Sequence, residues 1–282
     1  MQRLFGLLRR IWDDIDEQAA AERERLSGRD SRAAQILVLC AVVLTLLYFF
    51  GAPQDCQAAF GAALSKSARL SRYKDFISHS YWCFLRMLMM TVVPLCHLRW
   101  LGERPSDFGL SLGTTAPTAD KPPASADAPP RITLRTYLLS LLLILPVLLL
   151  ASFTPAFGRT YPLYLLAGRS LFELVLWEIE YASMFFALEF FFRGYLLFGL
   201  RRAFGSQALF IAMVPYCMWH FTKPWTEALG SIVAGIVLGT LALASRSIWG
   251  GVLVHVAVAW TMDFSVLLQK HALPGASKLF PP

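Results

Sequence analysis

Four ionisable side chains stand in apolar sequence where charge is costly. Glu189 and Arg193 lie in FFALEFFFRGYLLFGL (185–200), His220 closes VPYCMWH, and His255 sits in GGVLVHVAVAW. A charged group at membrane depth costs a few kcal/mol or more, so it normally faces the bundle interior and marks a functional site. Glu189 and Arg193 are four residues apart with the acid first, the favourable order for an ion pair on a helix, so one reading is that they simply neutralise each other. The two histidines open another reading. A carboxylate and two imidazoles can poise a water for attack, one imidazole sharing its proton and the other donating to the developing oxyanion. The same three groups, Glu189, His220 and His255, are also a legitimate zinc set with an open fourth position, although the sequence holds no H-E-x-x-H helix. Zinc and no metal both stay open as cofactor assignments.

Such groups need membrane helices to position them, and composition supplies these. Of 282 residues, 56% are hydrophobic and 16% charged, with a mean hydropathy of +0.51, far more apolar than an ordinary soluble domain. The expected fold is all-α, a polytopic membrane helix bundle of about seven transmembrane helices. Their expected positions are 33–51, 81–98, 137–153, a long segment from 171 through Glu189 and Arg193, 207–221, a segment starting near 226, and 248–268. Each is about the length that crosses roughly 30 Å of hydrocarbon. In the second, Arg86 is expected to snorkel to the near interface. Glu178 lies eleven residues before Glu189, about 16 Å along a helix, which places it at the opposite interface. Ser231, Gly235 and Gly239 form a small-residue stripe read as helix packing.

Residues 1–32 read as an N-terminal amphipathic arm on the membrane surface, with Leu4, Leu7, Leu8, Ile11 and Trp12 at helical spacing. Its seven arginines face seven acids, so the positive-inside count alone makes this end cytoplasmic. Residues 33–98 form a transmembrane pair and 99–133 an extramembrane segment. The Pro- and Ala-rich tract TTAPTADKPPASADAPP within it has no means to bury a core and reads as a disordered linker. Residues 134–270 carry every chemically interesting group. The net charge of +7 is scattered, with no basic stripe interleaved with aromatics, which argues against a nucleic-acid partner and for the lipid bilayer. The five cysteines are odd in number and outside any C-x-x-C, so they read as packed thiols.

At the chemically apt residues the chain resembles the CAAX-processing and bacteriocin-processing (abortive-infection-like) family of intramembrane endopeptidases. The family motifs are E-E-x-x-x-R, F-x-x-x-H and H-x-x-x-N. Here they read L-E-F-F-F-R from Leu188 to Arg193, Y-C-M-W-H from Tyr216 to His220, and H-V-A-V-A from His255 to Ala259 after SIWGGVLVH. The resemblance covers about 171–268 in matching order and spacing. It makes 134–270 an intramembrane peptidase core that hydrolyses a peptide bond in a membrane protein or lipidated peptide, with Glu189, Arg193, His220 and His255 as catalytic candidates. Two departures matter. In the family the first Glu of motif one acts as general base with the motif-two His, while the motif-three His and Asn form the oxyanion site. Leu188 and Ala259 stand in two of those places. Either Glu189 takes the base role with help from Asp263, Tyr216 or Glu227, or the chain is a lapsed member acting as a membrane scaffold or immunity-type binding protein.

Overall fold

The computed structural model describes residues 2–24, 31–111 and 132–274, and among these it is helical throughout, without strands. The helices are α1 Gln2–Glu24, α2 Arg32–Phe50, α3 Pro53–Leu64, α4 Ala68–Arg72, α5 Lys74–Met87, α6 Val93–Trp100, α7 Leu134–Ser152, α8 Pro155–Thr160, α9 Leu171–Glu189, α10 Gly199–Phe204, α11 Ala208–Met218, α12 Trp225–Ser245 and α13 Trp249–Gln269. The expected linker tract lies outside the described residues. A π-helical stretch, Leu88–Val92, joins α5 to α6, and a longer one, Phe190–Phe198, joins α9 to α10.

Among the described residues six helical segments are long and apolar enough to cross a membrane, and one of them, Leu171–Met218, runs for 48 residues. A single crossing needs about 20. Within that segment Gly205 has φ +55° and ψ −134°, which ends α10 and turns the chain before α11. The expected count of about seven passes rests on this break dividing Leu171–Met218 in two. On α7 only 6% of the apolar window is buried, and Leu142, Leu143 and Leu150 are exposed, as a lipid-facing helix requires. The protein is an integral membrane protein with multiple passes.

The chain forms two units. The first comprises Met1–Ala41, Pro94–Tyr137 and Glu189–Val252. Its centre is the π-helical stretch, in which every residue from Phe190 to Phe198 is buried. Close packing there depends on glycine: a Cβ on Gly194 would stand 2.8 Å from the Phe108 carbonyl oxygen, and one on Gly239 would stand 2.4 Å from Leu209 Cδ1. Gly239 belongs to the stripe read from the sequence, and Gly235 faces Met213 and Tyr216, so the stripe serves the packing of α12 on α11. The segment around Phe108 docks in this unit. The Ile248 amide donates to the Gly109 carbonyl at 3.0 Å and the Trp249 indole to the Leu110 carbonyl at 3.3 Å.

Helix α1 differs from the expected surface arm. Ile11, Ile15 and Ala19 are buried, the Trp12 indole donates to Thr240 Oγ1, and Asp16 accepts from the Ser206 amide at 2.7 Å and its hydroxyl at 2.9 Å. The apolar face meets protein because the acids between its apolar residues find specific partners there.

The second unit comprises Val42–Val93, Leu138–Leu188 and Leu253–Pro282. Its core holds Tyr164, Trp177, Tyr181, Met184, Phe185 and Ala259. The polar stretch KDFISHS (74–80) is the start of α5, because its side chains are satisfied inside the protein. The His79 ring nitrogens lie 2.7 Å from the Asp75 carbonyl and 3.2 Å from the Leu163 carbonyl, and Ser80 Oγ donates to Glu180. The Arg86 guanidinium, expected to snorkel, donates to the Trp82 carbonyl and to that of Gly51 at the end of α2, and lies 4.1 Å over the Trp82 ring. All five cysteines are free thiols; Cys40, Cys56 and Cys83 are buried, whereas Cys96 is exposed and not packed as expected.

Candidate active site

The first unit brings together Glu189, Arg193, Tyr216 and His220. Helix α9 ends on Glu189, and Arg193 falls within the π-helical stretch that follows. A turn closed from residue i to i+5 takes in more residues than the 3.6 of an α-helix, so i+4 comes to lie more nearly above i. Glu189 Oε1 and Arg193 Nη1 are 3.2 Å apart, with 0% and 2% of the two residues exposed. Sequence spacing announced this pair, but the π geometry had no local signal. The structural reason for it lies in tertiary packing around Gly194.

Arg193 makes a second contact that joins the first motif to the second. Its guanidinium lies 3.8 Å over the Tyr216 ring, a cation–π contact in a water-poor setting. Tyr216 is 2% exposed, and its backbone carbonyl lies 2.8 Å from His220 Nδ1. A carbonyl only accepts, so this bond places the proton on Nδ1 and leaves the basic lone pair of the neutral ring on Nε2. His220 itself stands in the turn after α11, half-buried. The expected helix through 221 ends earlier, because the backbone amides of Trp219 and His220 bond back to Pro215 and Cys217 as the chain turns toward Pro224. A void of about 10 Å³ adjoins Arg193, Tyr216 and Gly235, the room of about one water.

On the far side of the pair the glycines of the third motif's lead-in press close. A Cβ on Gly251 would stand 2.4 Å from Glu189 Oε2, and one on Gly250 would stand 2.3 Å from the Tyr137 ring. Glu227 is half-buried in the first turn of α12, which begins at Trp225 with Pro224 before it, close to the expected start near 226.

The second unit holds His255 and Asp263, both on α13. The His255 ring stacks on Phe185 at 5.0 Å and 24° and is partly buried. Asp263 is fully buried, and its Oδ2 accepts from the Trp177 indole at 2.9 Å. The residues that depart from the motifs are buried too, Leu188 at 4% and Ala259 at 2% exposure.

Glu178, expected at an interface, is buried within the second unit. It is 6% exposed, both its carboxylate oxygens are buried without a hydrogen-bond partner, and Asp263 acts on it electrostatically. Its neighbours Trp177 and Tyr181 pack in the core, which carries the carboxylate inward with them. Periodicity placed Glu178 only along the helix axis; its burial follows from the packing of Trp177 and Tyr181 in the core.

Among the described residues no group of three or more His, Cys, Asp or Glu side chains lies close enough together to hold a metal ion.

In the first unit a buried carboxylate thus pairs with a guanidinium that lies over an aromatic ring, and the same tyrosine's carbonyl orients an imidazole. Residues 171–261 match the model of the Rce1-like family, described as type II CAAX prenyl endopeptidase Rce1-like. That family is one of membrane proteases, and the matched stretch contains all three motifs. Neither a curated protein nor a solved structure matches the chain.

Proposed function

We propose that the protein is an intramembrane endopeptidase acting on a membrane-bound or lipidated protein or peptide near its membrane anchor. The observation that carries this reading is the linked set Glu189, Arg193, Tyr216 and His220, which ties the first motif physically to the second. In the proposed reaction His220 Nε2 and Glu189 hold a water whose oxygen attacks the scissile carbonyl carbon. The proton they take passes to the leaving amine nitrogen as the peptide bond breaks. Arg193 keeps Glu189 ionised and oriented, since a nearby opposite charge favours the charged form. His255 donates to the oxyanion that forms in the transition state, the role that the family resemblance gives it. The domain at 134–270 is assigned as the peptidase core on the same grounds.

A second reading has its own support. Ala259 packs in the core with Trp177, Tyr181 and Phe185, so hydrocarbon fills the place of a family hydrogen-bond donor, and Leu188 does the same for the family base. A lapsed family member that binds membrane proteins without cleaving them accounts for both. Cleavage of lipidated peptides by the detergent-purified full chain, with Glu189→Gln and His220→Ala as controls, separates the two. Turnover lost in both variants supports the peptidase, and no turnover by wild type on any lipidated or membrane-anchored substrate supports the scaffold.

A further inference from the structure

Away from the candidate active site, the first unit holds a cavity of about 140 Å³ whose walls are unusually rich in arginine. Arg32, Arg201, Arg202 and Arg246 face Glu22, Glu103 and Asp107, so four guanidiniums stand against three carboxylates and one positive charge is in excess. The charges are ordered. Arg201 Nη2 lies 2.5 Å from Glu22 Oε1, Arg202 lies 3.7 Å from Glu22 and 3.4 Å from Glu103, and Arg32 bonds Glu103. This makes a chain in which three cations alternate with two acids and both ends are guanidiniums. Arg201 is 8% exposed, so its charge is largely removed from solvent. Arg246 takes the neutral Gln18 Oε1 as acceptor at 3.1 Å and lies near enough to Arg201 to feel its like charge.

The position of the cavity decides what it meets. Arg32 begins α2, Leu101 and Glu103 follow α6, and Arg246 follows α12, so the walls come from the ends of three membrane-spanning segments. Ends of spanning helices lie at the headgroup level. A guanidinium presents a fork of donors that matches phosphate oxygens, and four forks around one cavity offer more donors than the two oxygens of a carboxylate use. The volume suits a group of a few non-hydrogen atoms, as a water occupies roughly 30 Å³ in the liquid.

We propose that this cavity binds a phosphate anion at the membrane interface, carried on a lipid headgroup or free in solution, with Arg32, Arg201, Arg202 and Arg246 as its donors. The site is separate from the residues assigned to peptide hydrolysis and holds whichever reading of that site is right.

The test uses the full chain purified in a neutral detergent, titrated with soluble dihexanoyl phosphatidic acid, dihexanoyl phosphatidylcholine or inorganic phosphate, with binding read by calorimetry. Phosphatidic acid binds and phosphatidylcholine does not. Arg246→Asn and Arg32→Gln each weaken binding about tenfold, as loss of one charge-assisted contact does, while Glu103→Gln tightens it by adding to the positive excess. Asn suits position 246 because its φ is +55°. If Arg246→Asn does not fold, Arg32→Gln and Glu103→Gln still move affinity in opposite directions. Tight binding of phosphatidic acid with weak binding of phosphate assigns the lipid headgroup, and equal binding of both with the same arginine dependence assigns the free anion. No binding by either probe, or affinities unmoved by all three substitutions, overturns the site.

Discussion

The Arg193 guanidinium lies over the Tyr216 ring at 3.8 Å while pairing with Glu189, so one cation serves two elements of the first unit at once. Its removal therefore exposes two deficits. Arg193→Ala strands a buried acid and is expected to cost about 3 to 5 kcal/mol. The double variant Glu189→Leu with Arg193→Leu regains most of that loss, because well-packed apolar side chains often replace a buried pair without penalty. Thermal unfolding of the purified variants in detergent measures both, and equal instability of the single and double variants rules out the stranded acid as the cause.

Catalytic assignments are tested at four positions. Glu189→Gln and His220→Ala are expected to abolish cleavage while the protein still inserts and unfolds cooperatively. His255→Ala lowers the catalytic rate by about a hundredfold or more, as loss of an oxyanion donor does. Restoring the family residue with Leu188→Glu leaves activity unchanged or raises it. Full cleavage by Glu189→Gln would move the base to Glu227 or Asp263, and activity gained only on Leu188→Glu identifies a lapsed protease.

Gly251 sets how near α13 comes to the Glu189 carboxylate. A methyl group there would stand 2.4 Å from Oε2, closer than nonbonded atoms approach, so either the carboxylate or the helix moves. Gly251→Ala is expected to destabilise by about 1 to 3 kcal/mol, the usual cost of overpacking. Wild-type stability in this variant, with unchanged cleavage, contradicts the close approach.

Glu178 tests whether a buried acid is structural. With both oxygens lacking hydrogen-bond partners, it costs desolvation that nothing in the second unit visibly offsets. Glu178→Met is expected to hold or raise the unfolding temperature. A fall in stability, or a loss of cleavage at unchanged stability, assigns Glu178 a role that its surroundings do not reveal.

The expected seven passes would put the two termini on opposite faces of the membrane. Reporter fusions after Leu98 and after Pro282 are expected to read inside and outside respectively. Both on one side would mean that Leu171–Met218 crosses once or returns without crossing.

Much of this protein is set locally and is legible in the chain. Hydrocarbon demands long apolar helices, so composition and run length yield the all-helical membrane fold and most helix positions to within a few residues. Helical spacing alone pairs Glu189 with Arg193, and the order and spacing of the motifs point to the family that matches 171–261. What only tertiary structure decides are the pairings between residues far apart in sequence. The π-helical turn around Arg193 and α1 held by Asp16 on Ser206 depend on partners brought from distant segments. The physical reason is that a polar side chain in apolar surroundings is stable only where it is hydrogen-bonded or paired. Sequence shows which side chains have that need, whereas the fold determines the partner that meets it.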